Sequence, residues 1–340
     1  MEIQTMSFHD DRPPDVHRKL KTEGKEVIEN MPGQFTSLYE ARIYFELIRR
    51  RVMHFTASTP FKVYPESETS SDANAKALET KRWAGWEKSW IGKDRQTLPV
   101  RNRHGMHPYR CTQPETMSSS PDQHQAAIKD SNARSECQGL LGELTAWGRS
   151  FRPLLETSIK KRNMDTISAL TLHIQQQTCS VFRAAFFTTE MEWDVFLPEF
   201  RTIVSQALRL LAIQEDLASR KKICRYRSSF SFDVGFVLSL YIVAMKCREG
   251  KTRRAALALL RKYPRREGVW DGVVVSAIAA WIIGLEGQFE EGADEAVPEE
   301  RRARKSSVDF DLIRRTAEMT CLQMDVETGR FVERTHVYTW

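Results

Sequence analysis

Four sets of residues along this chain are of the right type for chemistry. Gly250-Lys251-Thr252 has the ending of a phosphate-binding loop. Such a loop needs another glycine at its head, so that backbone N–H groups can cradle the phosphate, and Met245 stands there. The tripeptide also follows an apolar helical block rather than a strand, so a phosphate loop is excluded. His104, His107 and Cys111 have loosely metal-like spacing, yet structural zinc wants four ligands and no further donor lies close by. Glu190, Glu192 and Asp194 form a carboxylate cluster just ahead of a helical pattern, where complementing the helix dipole explains them better than acid–base catalysis. The fourth set is the six cysteines, Cys111, Cys137, Cys179, Cys224, Cys247 and Cys321, which contain no CxxC pair. Dispersed in this way they read as buried small hydrophobes in a reducing compartment, not as a zinc knuckle or disulfide framework. No HExxH, GxSxG or GxGxxG occurs. The expectation is therefore a non-enzyme with no catalytic residues, no cofactor and no metal site.

Charge comes next. The chain has 340 residues and a formal charge of +6, which permits an acidic partner without demanding one. From Lys81 to Arg110 there are eight Lys/Arg against Glu87 and Asp94, interleaved with Trp83, Trp86 and Trp90 at helical spacing. Basic side chains can neutralise phosphates while indoles stack on bases. No DNA-binding fold is legible around them, so a solvated insertion is the preferred reading. Arg301, Arg302, Arg304 and Lys305, beside Ser306 and Ser307, make a second basic run. It is a candidate nuclear-import signal in an exposed loop, and equally a solvated surface stretch. The arginines at 253, 254, 265 and 266 are expected to cap helix ends and pair with acids rather than touch phosphate.

The elements that must hold these residues are mostly helices. Residues 1–34 are polar and proline-containing, and are expected to be a disordered tail. Ser37 and Glu40 then form an S-x-x-E capping box ahead of Leu38, Ala41, Phe45, Ile48, Val52 and Phe55, which share one helix face. This first helix spans 35–57. Over 58–137 the apolar period vanishes, which predicts a disordered linker or insertion far longer than the usual connection. Periodicity returns in 138–340. Leu140, Leu144, Trp147, Phe151 and Leu154 lie on one face, and helices are expected at 167–187, 195–217, 230–247, 253–262 and 271–286, with Asp271 as the N-cap of the last. The later helices are apolar on more than one side and should be inner ones. After an acidic loop at 287–300, residues 318–326 and 330–338 read as strands joined at Glu327-Thr328-Gly329, a terminal hairpin. The predicted fold is all-α, a multi-helix bundle with a small C-terminal β-hairpin. The N-terminus has no signal-peptide pattern, and the uncharged apolar run Gly272 to Leu285 is shorter than the roughly 18 apolar residues a membrane span needs. A soluble intracellular protein with no membrane contact is expected.

The stretch Phe230–Leu285 carries one more signal. The string FSFD…LY…A.KCR….RR.A..LLR..PRREG.WD resembles the helical regulatory half of fungal zinc-cluster transcription factors. Its named positions here are Phe230, Phe232, Asp233, Cys247, Arg248, Arg265, Arg266, Glu267, Trp270 and Asp271. The segments FTSLYEARIYFELIRRRVMHF, LTAWGRSFRPLL, EMEWDVFLPEFRTIVSQALRLL and the terminal FDLIRRTAEMTCLQMDVETGRFVERTHVYTW are similar to the same region, so the likeness covers 35–57 and 138–340 in order. In that family a six-cysteine cluster binds two zinc ions and places a short helix in the DNA major groove. This chain has no cysteine before Cys111, so that motif is absent from it.

The resemblance implies a nuclear regulator of transcription that acts through protein partners, the transcription machinery or a related factor, without specific DNA reading of its own. Two rivals stand beside it. One is a DNA-independent cofactor or antagonist that pairs with a full-length zinc-cluster factor. The other is an enzyme with a helical active site of unfamiliar pattern, which would need a buried pocket holding pKa-perturbed carboxylates or histidines.

Overall fold

The computed structural model describes residues 19, 22–63, 131–183, 192–220, 229–231, 233–268, 270–287, 296–311, 313–325 and 328–339. The tryptophan-bearing basic segment at 81–110, the His104/His107/Cys111 group, Glu190 and Phe232 lie outside them.

The apolar periods become helices. α1 is Lys25–Glu29, α2 Leu38–Val63, α3 Ser131–Lys161, α4 Met164–Phe182, α5 Leu197–Arg220, α6 Val237–Lys246, α7 Gly250–Lys262 and α8 Gly272–Leu285. The short α1 falls within the stretch expected to be disordered. It sits beside α2 because Ile28 is buried and Gly24, in a left-handed conformation, lets the backbone come close to Leu47. α2 runs on past position 57, and α3 begins ahead of 138, so both flanks of the expected insertion are more helical than their composition suggests.

Helix entry follows local chemistry. Ser37 Oγ accepts the Glu40 N–H at 3.1 Å, while the Glu40 carboxylate accepts from the N–H and hydroxyl of Thr36. The reciprocal box thus reaches back to Thr36 rather than to Ser37. Those amide and hydroxyl donors hold the Glu40 carboxyl below the ordinary carboxylate range. Asn163 and Thr166 form a full capping box on α4. Asp271 caps α8, accepting from the N–H groups of Val273 and Val274, as its position predicts.

Ala41, Phe45, Ile48, Val52 and Phe55 of α2 are buried together against Leu140, Leu144, Trp147 and Phe151 of α3. Trp147 is fully buried, its indole N–H donates to the Ala41 carbonyl at 2.8 Å, and its ring stacks on Phe151 with centroids 4.5 Å apart. A buried indole needs that hydrogen bond, because an unpaired N–H in the core costs about 1–3 kcal/mol. α2 and α3 pack on α4, α4 on α5, and α5 on α6 and α7. α6 is innermost: every residue from Val237 to Ala244 is buried. α6 meets the expectation of an inner helix, whereas α7, also expected to be inner, leaves Lys251, Ala258, Arg261 and Lys262 exposed.

Two small sheets decorate the bundle. β1 (Ser229–Ser231), β2 (Arg265–Glu267) and β3 (Trp270–Asp271) form one, with β1 parallel and β3 antiparallel to β2. This sheet was not expected, and β1 takes up the start of the predicted 230–247 helix. The second sheet contains the expected hairpin, β5 (Thr316–Met324) and β6 (Phe331–Thr339), paired in register from Thr316↔Thr339 to Met324↔Phe331. Gly329 supplies the left-handed turn residue, and the Asp325 carboxylate accepts the Thr328 N–H at 3.0 Å. A third strand, β4 (Arg304–Asp311), extends the hairpin on the β5 side. Ala317, Met319 and Cys321 of β5 face the helices, and Trp281 of α8 stacks on His336 of β6. The fold is a helical bundle with a small C-terminal antiparallel sheet. No helix among the described residues is long and apolar enough to cross a membrane.

Candidate functional site

Several of the described motif residues of Phe230–Leu285 lie at the ends of α6. Its first turn leaves backbone N–H groups without intrahelical partners, and no side chain of its own segment caps them. Glu267, on β2, fills that role. Its carboxylate accepts from the N–H groups of Gly235 (2.9 Å), Phe236 (3.2 Å) and Val237 (2.9 Å). Glu267 is only 2% exposed, so its charge is neutralised by these dipoles and by Arg265 at 3.8 Å. Gly235 is required at this point. A Cβ there would lie 2.3 Å from the Glu267 carboxylate oxygen.

The other end of α6 is closed by arginines. Arg253, fully buried on α7, donates from Nε and Nη2 to the Ala244 carbonyl and forms a salt bridge with Glu286. Arg302 donates to the Met245 carbonyl at 3.1 Å and to the same Glu286 carboxylate at 3.0 Å. The Ala303 N–H also reaches Glu286, at 2.8 Å. Burial pulls the Arg253 guanidinium below its ordinary pKa, Glu286 opposes that and Arg302 reinforces it. Gln323 of β5 donates to the carbonyls of Leu285 and Arg301, which ties the sheet to the same corner.

Other described motif positions have structural partners. Arg265 lies over the Phe236 ring at 4.5 Å and donates to Gln214 at 3.1 Å. Arg248, largely buried, pairs with Asp194 at 3.4 Å, which assigns one member of the carboxylate cluster a partner. Trp270 tilts against Tyr241 with centroids 6.1 Å apart. Asp233 pairs with Arg42 of α2 at 3.0 Å on the surface. Arg266 is exposed, and its Nε donates to the Gly268 carbonyl at 3.3 Å. Phe230 is exposed at 56%. Cys247 is buried at the end of α6.

The basic run at 301–305 does not form an exposed loop. Arg301 ends a 3-10 turn, Arg302 is 1% exposed and held by Glu286, and Arg304 opens β4 paired with Glu299. The reason is the buried Glu286 carboxylate, which needs cations within reach. An import receptor gripping Arg302 would have to draw it out of the core. Arg304 also lies over the Phe331 ring at 5.1 Å. The backbone of Lys305 lies within β4.

Three of the described thiols are chemically quiet. Burial pushes Cys179 and Cys321 up to about 12 and Cys247 up to about 11, so all three remain protonated near neutral pH. Among the described residues no group of His, Cys, Asp and Glu is placed to hold a metal ion. The charged groups Glu267, Arg253, Glu286 and Arg302 around α6 are committed to backbone groups and to one another. Sequence reasoning anticipated arginines capping helix ends. It missed Glu267 as a cap and Glu286 as the hub, because neither has a local sequence pattern. Comparison with family models, with curated proteins and with solved structures gives no match.

Proposed function

We propose that this chain is a regulator of transcription, similar to the helical regulatory half of fungal zinc-cluster factors, working in the nucleus through contacts with other proteins. The observation that carries it is the common use of the motif string. Glu267, Arg265 and Trp270 pack at α6, Asp271 caps α8, and Arg248 pairs with Asp194, so all five serve the fold. This shared structural use supports reading the string as part of a folded platform for protein contacts. The sequence itself carries no CxxC pair, and a binuclear cluster would need several.

DNA titration tests this. Phosphate contacts alone give sequence-independent affinity, typically with Kd of about 10⁻⁴–10⁻⁶ M at physiological salt. The chain, titrated against random duplexes and CGG-repeat duplexes, should bind both equally and lose both together as salt rises. A preference for the CGG duplex that survives physiological salt contradicts the proposal, because base discrimination needs side chains held in a groove.

A further inference from the structure

α7 has an unusual composition. It carries Lys251, Arg253, Arg254, Arg261 and Lys262 and no acidic residue. Arg253 is turned inward to Glu286, whereas Lys251, Arg261 and Lys262 are exposed. Between α5 and α7 runs an open groove with a volume of about 390 Å³. Its walls are Leu208, Leu211 and Ala212 of α5 and Ala255, Ala258 and Leu259 of α7. The alanines keep one wall low, and Leu208 stands 50% exposed in the groove although its neighbours Leu210 and Leu211 are buried. One end is closed by Tyr263, whose hydroxyl donates to Glu215 at 2.8 Å, with Lys262 at 4.0 Å from the same carboxylate. The acid at the groove is thus already engaged within the fold.

An apolar floor between low walls fits the apolar stripe of a helix, with residues spaced i, i+3, i+4 and i+7. A rim whose α7 side carries cations only favours acids on the flanks of that helix and disfavours lysines there. We propose that the α5–α7 groove docks an acidic amphipathic helix of a partner protein. This deepens the reading of the chain as a regulator that works through protein contacts, and rests on it. The apolar lining distinguishes the site from a phosphate-binding patch. Nucleic acid would use the lysines and arginines and leave Leu208 without a role.

The probe is a fluorescein-labelled peptide of about 18 residues, five helical turns, with leucines at i, i+3, i+4 and i+7 and glutamates elsewhere. A twin carries lysine in place of every glutamate. Fluorescence anisotropy with the full chain should show micromolar binding of the acidic peptide and about ten-fold weaker binding of the basic one. Leu208→Asp should weaken the acidic peptide by about ten-fold, and the pair Lys251→Glu/Arg261→Glu should do so while flattening the salt dependence. These three positions are exposed, so circular dichroism and melting temperature should be unchanged. No binding of the acidic peptide, or equal binding of both peptides with Leu208→Asp silent, overturns the proposal. Stronger binding of a random DNA duplex, lost in Lys251→Glu/Arg261→Glu but unaffected by Leu208→Asp, would reassign the cations to phosphate and also overturn it. Peptide binding that fails while the chain still alters transcription when tethered to DNA removes the groove alone. Failure of both removes the regulatory reading.

Discussion

Glu267 on β2 accepts the Val237 N–H at 2.9 Å, and through this contact a residue thirty positions away in sequence starts α6. Helix α6 has no cap of its own, so the innermost helix of the bundle depends on a turn that forms only once β2 is in place. The same carboxylate serves Gly235 and Phe236, which makes it a shared terminus for the loop as well as the helix.

Removing this cap should be costly. Glu267→Ala leaves buried N–H groups without an acceptor, and is expected to lower stability by about 3 kcal/mol; Glu267→Gln, which keeps one carbonyl oxygen, should lose about half of that. Gly235→Ala should also destabilise, since the new Cβ meets the Glu267 carboxylate. Urea denaturation of both single variants and the double variant provides a cycle, and the two changes should be clearly non-additive because they act on one contact. Additive effects would mean that Glu267 is not the cap.

The Arg253–Glu286–Arg302 cluster is expected to behave as a unit. Glu286→Gln alone should cost about 3–5 kcal/mol, because it leaves two buried guanidinium groups uncompensated. Arg302→Met, which keeps the Arg253–Glu286 pair and leaves the Met245 carbonyl unpaired by Arg302, should cost less, about 1–3 kcal/mol. Replacing all three by apolar residues should recover part of that loss. Recovery should be incomplete, because the Ala244 and Met245 carbonyls and the Ala303 N–H would still lack partners. Hydrogen exchange should show the C-terminal sheet loosened in the single variants, since Arg302 and Gln323 fasten it to this corner.

How much of this was legible in the sequence depends on the distance over which each feature is decided. The α2 face of Ala41, Phe45, Ile48, Val52 and Phe55 is buried as its spacing predicts, and Asp271 caps α8 as its position predicts. Both are set within a few turns of helix. The β1–β2–β3 sheet has strands of two or three residues, too short to show a period, and pairs segments distant in sequence. β4 begins in a run of charges that resembles a surface loop. Only the fold reveals that Glu286 waits beneath Arg302. The short α1 was hidden because one buried residue, Ile28, anchors an otherwise polar segment.

Acid should destabilise the protein in two steps. Burial holds the His173 imidazole below the ordinary histidine value of about 6.5, so the unfolded chain binds that proton first. Stability is full above this value and falls as pH drops below it toward the folded-state pKa. Glu249 is held below the ordinary carboxylate range chiefly by its hydrogen bond with Arg201, and Glu40 by Thr36. Their contributions are present above the ordinary carboxylate value of about 4.3 and are lost as pH falls through the lowered ones. Melting temperature measured from pH 8 to pH 3 should show both declines, and His173→Asn should remove most of the first. An unchanged first decline in that variant would point to a different group.

The buried cysteines should be inert in the native state. Iodoacetamide at pH 8 should leave Cys179, Cys247 and Cys321 unmodified, and modify them once urea unfolds the chain, because alkylation needs the thiolate. Mass spectrometry of the native digest decides this. Rapid labelling of Cys247 would show that the α6 end is open in solution.

A tethering assay tests the proposal that the folded chain acts on transcription through protein contacts. The chain, fused to an unrelated DNA-binding domain and expressed in a fungal host, is directed to a reporter promoter. The account predicts that reporter output changes relative to the DNA-binding domain alone, that the change is lost in Glu267→Ala, and that the fusion accumulates in the nucleus. A fusion that is folded and bound at the promoter, yet leaves output the same as the DNA-binding domain alone, would contradict it.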